Sequence, residues 1–267
     1  MSSKLIVIKL GGSVITYKDS PKPKANLSVI KNIAIELEVL FKAGYKIILV
    51  HGAGSYGHPL AKKYQLHKGM QTEQQKKAFA QIHLQMLKLN SLIMKELITK
   101  HIPAVTIPPH ALAYKLNNEL VYLNDQIIKR YLKINTVPVL FGDAVLDDRL
   151  GCSILSGDTI VSYLAKKLEA GQVIFLSDVN GVFDKNPKKN RDAVLISEIN
   201  NQNINKVLKN LLISNSFDIS GEMKGKILMI KKDLLKIPVL IANGLDKDIL
   251  IKIIQQQKQV GTKILLN

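Results

Sequence analysis

Two glycine-bearing stretches each follow an apolar run of strand length: KLGGSVIT at residues 9–16 and HGAGSYGHP at residues 51–59. Glycines at a strand end let backbone N–H groups approach an anion closely, because no Cβ stands in the way. In the first stretch Lys9 adds a mobile positive charge, with Gly11, Gly12 and Ser13 just beyond it. In the second, Gly52, Gly54 and Gly57 lead to His58. A neutral imidazole there donates one hydrogen bond to a phosphate, and an imidazolium adds charge. Each stretch alone also reads as an ordinary turn, and His58 as a satisfied loop histidine. Neither matches the P-loop or the Rossmann glycine fingerprint.

Three further segments add charge at element ends. SGDTIVSYLAKKL, at 156–168, places Asp158 at a glycine-containing helix start, where it could cap backbone N–H groups or orient Lys9. LSDVNGVFDKNP, at 176–187, places Asp178 just past a strand, with Asn-Gly making a turn. DISGEMKGK, at 218–226, puts Ser220, Gly221 and Lys224 ahead of an apolar helix, from whose start Lys224 could reach a phosphate. A solvated Lys224 is the plain alternative. Three glycine-bearing loops, two lysines and carboxylates at strand or helix ends together point to phosphoryl transfer by positioning and electrostatics, with no covalent enzyme intermediate. His67, His83, His101 and His110 show no metal-ligand spacing, and His51 reads as the end of a strand.

The elements that must carry these residues are short apolar runs separated by helical patterns. Strands are expected at 5–10, 46–51, 137–142, 172–178 and 237–243. Between the first two, Leu27, Ile30, Ile33, Ile35, Leu37, Leu40 and Phe41 form a helical stripe that stops at Gly44, completing a β-α-β unit. A long helix is expected over 72–101, capped by Thr72, and a further helix near Pro59. Strands alternating with helices imply an α/β fold whose mostly parallel sheet is covered on both faces, with ligands beyond the carboxyl ends of the strands. The most natural internal division falls near Ala170, giving an N-terminal half of about 1–170 and a C-terminal half of about 171–267 within one shared sheet.

The whole chain narrows the classes. Its 267 residues suffice for one large domain, and the single Cys152 cannot form an intramolecular bridge, which fits a cytoplasmic protein. No secretory leader and no membrane-spanning run are expected. The net charge of +17 favours anionic partners, but the lysines are dispersed and no nucleic-acid-binding signature accompanies them, so nucleic acid is disfavoured.

In this order, KLGGSVIT, HGAGSYGHP, SGDTIVSYLA, LSDVNGVF and SNSFDISGEMKGKI resemble the amino acid kinase superfamily, and more closely its isopentenyl phosphate kinase branch. The resemblance implies an αβα sandwich, a homodimer, and transfer of the γ-phosphate of ATP, with Mg²⁺, to isopentenyl phosphate in isoprenoid precursor synthesis. By the same resemblance, Lys9 and Lys224 would stabilise the transferring group, Gly11, Gly12, Ser13 and Gly54 would cradle phosphates, and Lys18 would face them. His58 would bind the acceptor phosphate, helped by Ala53 and Gly157, while Asp158 organises the lysines. Asp178, Phe183 and Gly221 would line the nucleotide site. No protein metal ligand is implied. Phe79, Ile82 and Met86, spaced along one helix, are candidates for the wall around the acceptor's hydrocarbon, or simply for core.

Two positions depart from that branch: Ala53 stands where glycine is expected, and Glu222 interrupts a Gly-Gly-Met-Lys pattern. The competing readings are a fosfomycin-type or other small phosphonate or phosphate kinase, and a non-catalytic nucleotide-binding protein of the same fold.

Overall fold

A computed structural model describes residues 4–18, 20, 22–187, 189–213, 219–255 and 260–267, without the side chains of 212, 213 and 219–222. In chain order the elements are β1 (Leu5–Leu10), α1 (Gly12–Ile15), α2 (Leu27–Lys42), β2 (Lys46–His51), α3 (Gly54–Lys63), α4 (Glu73–Thr99), β3 (Ala104–Thr106), β4 (Ala113–Leu116), β5 (Glu119–Leu123), α5 (Asp125–Lys133) and β6 (Val137–Phe141). There follow β7 (Asp143–Asp147), β8 (Gly151–Leu155), α6 (Gly157–Lys167), β9 (Gln172–Ser177), β10 (Glu198–Ile199), α7 (Ile204–Ile213), α8 (Ile219–Asp233), β11 (Val239–Asn243), α9 (Ile249–Ile254) and β12 (Thr262–Ile264).

Among the described residues, eight strands form the main sheet in the order β10-β12-β11-β9-β1-β2-β6-β3. The pairings from β11 through β3 are parallel, and β12 runs antiparallel to β11. Strand β1 is central and every residue of it is buried, which is why it reads as a continuous apolar run broken only by Lys9. Because successive side chains alternate faces, Val7 packs into a core shared with α6 and α8, and Ile6, Ile8 and Leu10 into one shared with α2, α4 and α9. Lys9 shares the parity of Val7 and so faces α6 and α8. Among the described residues no helix is long and apolar enough to cross a membrane.

The five expected strands and the long helix are present, the helix opening on Thr72 with a capping box to Gln75. Two helices and one sheet differ from expectation. Helix α3 begins at Gly54, five residues before Pro59, because Ser55 N–H finds the Thr16 hydroxyl and Tyr56 and Gly57 N–H bond back to the Ala53 carbonyl. Helix α8 is described over Ile219–Asp233, so Lys224 lies within a helix and not ahead of one. The second sheet, β5-β4-β7-β8, was not anticipated: its strands have four or five residues each, and β4 and β5 are half exposed.

Candidate functional site

Strands β9, β1 and β2 are adjacent and parallel, so their carboxyl ends open on one edge of the sheet. The two glycine turns leave from there and touch backbone to backbone. A Cβ on Gly12 would lie 2.5 Å from Gly54 N, and one on Gly52 would lie 2.6 Å from Gly12 N. Thr16 ties the turns together: its hydroxyl donates to the Gly12 carbonyl at 2.7 Å and accepts from Ser55 N–H at 3.0 Å. Gly54 adopts a φ of +50°, which favours glycine. Ala53, in contrast, sits at φ −79°, ψ −33°, so alanine fits there without strain.

Beside the turns lies a charge cluster. Asp158, on the first turn of α6, pairs through Oδ1 with Lys9 Nζ at 3.0 Å and accepts a hydrogen bond on Oδ2 from Lys226 Nζ of α8. Both lysines are buried, and Lys226 also lies 4.5 Å from the centre of the Phe175 ring. Burial alone would raise the Asp158 pKa; the two ammonium groups overcome it and hold the carboxyl well below the usual range. Asp158 does not cap its helix, a role taken by Ser156, whose hydroxyl accepts from Thr159 N–H at 3.0 Å.

The second lysine at Asp158 is therefore Lys226, where the sequence pointed to Lys224. Residues two apart on a helix project about 200° apart, so the two lysines cannot share a face. Lys226 shares the buried face of Met223, Ile227 and Ile230, whereas Lys224 is half-buried beside it.

Two adjoining clefts meet at Lys9, Ser13 and Lys18. The larger, of about 470 Å³, holds Gly12, Gly52, Ala53, Gly54, Gly157 and Asp158 at its polar end, with His58 also in its wall. Its other end is apolar, with Ile82, Met86, Ile154 and Leu155. Phe79 is outside that wall and packs edge-on against His83 at 4.3 Å between ring centres. The smaller cleft runs along Gly11, Phe175, Leu176, Ser177, Asp178, Val179, Met223 and Lys226. In it Ser13 donates to Asp178 Oδ1 at 3.0 Å, and Lys18 lies 3.6 Å from Asp178 Oδ2.

Not every expected residue gathers here. Phe183 lies beyond the Gly181 turn, where it bridges to Leu195 and packs on the core, and it is not in the lining of either cleft. The surroundings of Gly221 and Glu222 lie outside the described residues. Conversely, Thr16 and Lys226 are site residues that sequence reasoning missed.

His83 and His110, far apart in sequence, converge on buried Asp143: His110 Nδ1 is 2.6 Å from Oδ2, and His83 Nε2 is 2.8 Å from the Ala144 carbonyl. Their rings stack at 4.1 Å and 24°, so their in-plane lone pairs do not converge on one point as ligation requires. This cluster is a hydrogen-bonded brace at Asp143, which lines the larger cleft.

The amino acid kinase family model matches residues 4–243. The isopentenyl phosphate kinase of Methanocaldococcus jannaschii is 38% identical over 237 residues, covering 86% of this chain and 87% of that protein. The isopentenyl phosphate kinase of Methanothermobacter thermautotrophicus is 35% identical over 229 residues, 84% of each chain. A crystal structure of an isopentenyl phosphate kinase superposes with a TM-score of 0.79 at 31% identity, covering 97% of this chain and 99% of that one. The glycine turns in backbone contact, the lysine-paired carboxylate and these matches converge: the chain belongs to the amino acid kinase family, in its isopentenyl phosphate kinase branch.

Proposed function

We propose that this protein transfers the γ-phosphate of ATP to isopentenyl phosphate, yielding isopentenyl diphosphate and ADP, as a step of isoprenoid precursor synthesis. The observation that carries the reading is the Lys9–Asp158–Lys226 cluster at the junction of two clefts, one of which continues from a glycine-lined polar end into an apolar chamber. A phosphate head with a short hydrocarbon tail suits that chamber. The nucleotide lies on the Asp178 side, in the half of about 171–267, and the acceptor in the half of about 1–170.

In the reaction an oxygen of the acceptor phosphate attacks the γ-phosphorus, the bond to the bridging β,γ-oxygen breaks, and ADP leaves with its electron pair. The attacking group is already an anion, so no general base is needed. Lys9 and Lys226 neutralise the transferring group, and Asp158 keeps the two ammonium groups together. The backbone of Gly11, Gly12, Ser13 and Gly54 cradles phosphates, while Lys18, at the junction, faces them. His58 holds the acceptor phosphate, with Ala53 and Gly157 beside it. Of the three carboxylates lining the clefts, Asp158 and Asp178 are paired with lysines and Asp143 with His110; Mg²⁺ would be held by nucleotide phosphates and water and would add charge neutralisation. We read the enzyme as cytoplasmic and, as the family resemblance implies, a homodimer.

The test is conversion of isopentenyl phosphate to the diphosphate with ATP and Mg²⁺, in wild type and His58→Ala. Turnover that collapses in the variant, chiefly through the acceptor KM, supports the reading; absence of wild-type turnover rejects it.

A further inference from the structure

His51 ends β2 on the face of the sheet that carries α4, and its side chain is fully buried, with Phe141 stacked on the ring at 5.2 Å. A chain of polar contacts runs through it. His51 Nδ1 lies 3.1 Å from the Gly52 carbonyl oxygen, His51 Nε2 lies 3.2 Å from Asn90 Nδ2, and Asn90 Oδ1 lies 2.6 Å from the Thr106 hydroxyl. The direction of every bond follows from the first. A carbonyl only accepts, so Nδ1 carries a proton. Burial lowers the imidazole pKa to about 4, so at neutral pH the ring holds that one proton and Nε2 is an acceptor. Asn90 therefore donates its amide to His51, which leaves its oxygen to accept from Thr106.

We infer that His51 is a positioning residue: its Nδ1 proton holds the Gly52 carbonyl and so aims the Ala53 N–H into the phosphate cleft, with Asn90 and Thr106 selecting the tautomer that does this. The inference rests on the kinase reading above and adds a device to it. In a trans peptide unit the carbonyl and the N–H point in opposite directions. With the Gly52 carbonyl turned inward onto His51, the Ala53 N–H turns outward, toward the cleft that Gly52, Ala53 and Gly54 line. Among the described residues, the N–H groups of Ala53 and Gly54 meet no protein acceptor, which leaves both for a ligand. A full reversal of this peptide would carry Ala53 to positive φ, which alanine resists. What His51 controls is the pitch of the N–H, and donors to a transferring phosphate lose much of their effect when misaimed.

The test compares His51→Asn with His51→Leu. The two side chains are similar in size, but only asparagine places an N–H donor where Nδ1 stood. Both leave Asn90 unpaired, and His51→Leu also leaves the Gly52 carbonyl without its donor, so kinetics are compared at a temperature where both variants are fully folded. The expected result is a fall in kcat/KM of about tenfold or more for His51→Leu, as for loss of an aligned donor, with much of it restored in His51→Asn. Equal losses in both variants overturn the inference. A second measurement needs no variant: the long-range nitrogen–proton imidazole spectrum of the wild type should place the proton on Nδ1 at pH 7. A proton on Nε2 overturns the inference whatever the kinetics. Absence of wild-type turnover instead overturns the kinase reading on which the positioning role depends, so the two failures are distinguishable.

Discussion

Lys226 donates a hydrogen bond to Asp158 from a helix that begins more than sixty residues further along the chain, while Lys9 reaches the other oxygen of the same carboxylate from the central strand. One partly buried carboxylate thus holds two ammonium groups together that would otherwise repel, and it does so where the two clefts meet. This arrangement suits an enzyme that must neutralise a phosphoryl group in flight without fixing it.

Lys226→Met should lower kcat by about 100-fold or more, the scale of losing an aligned charge donor in phosphoryl transfer. Lys224→Met, on a different face of the same helix, should stay within a few-fold of wild type. Steady-state kinetics with saturating ATP decide between them. A Lys224 variant that is the more damaged of the two would return the role to Lys224.

The misassignment shows what was legible. The stretch DISGEMKGK announced a lysine near phosphate, but choosing between Lys224 and Lys226 required knowing that the helix already includes this stretch. The signal was present: Met223, Ile227, Ile230 and Leu234 form one buried stripe, and only position 226 falls within it. The glycine turns and Asp158 were legible only in combination, since each alone also reads as a turn or a helix cap. Contacts that cross the sequence, such as Thr16 to both turns or His110 to Asp143, leave no local period and emerge only when strands are ordered. Of the two readings open for Phe79, wall or core, the structure takes core, whereas Ile82 and Met86 are in the cleft wall: a helical stripe tells which face is buried and is silent on what lies opposite.

Gly54→Ala should abolish turnover and destabilise the fold by about 1–3 kcal/mol. Its Cβ would collide with Thr16 and lie 2.8 Å from the Gly12 carbonyl, at a φ of +50°. Gly225→Ala is the counterpart: nothing lies within 4 Å of its Cβ, and it sits in the middle of α8. That change should raise stability by about 0.5–1 kcal/mol. Denaturant melts of both variants are the check, and a destabilised Gly225→Ala would contradict the open space around that position.

The apolar chamber makes a prediction about acceptor length. Ile82 and Met86 are in its wall and Phe79 is outside it. Met86→Ala should raise the ratio of kcat/KM for geranyl phosphate over isopentenyl phosphate by about tenfold, because the removed side chain opens room for further methylenes worth about 0.8 kcal/mol each. Phe79→Ala should leave that ratio unchanged while costing stability. An equal loss on both acceptors in Met86→Ala would mark that residue as core alone.

The buried His51 should make folding stability depend on pH in a window that can be named. Its pKa is lowered from an ordinary 6.5 to about 4, by burial above all, against a smaller opposing effect of its bond to Gly52. Below 6.5 the unfolded chain binds a proton at this ring that the folded chain excludes, so stability falls as pH falls, until the folded form also protonates near 4. Across the whole window the loss is roughly 3 kcal/mol, and between pH 7.5 and 5 roughly 2 kcal/mol. His51→Asn lacks the titrating ring and retains every other ionisable group. Its unfolding free energy, followed by urea titration at several pH values, should fall less steeply than wild type by that amount. Parallel curves for the two proteins would mean that the ring takes up its proton in the folded state as easily as in the unfolded chain, and that the Asn90 amide turns over to accept it.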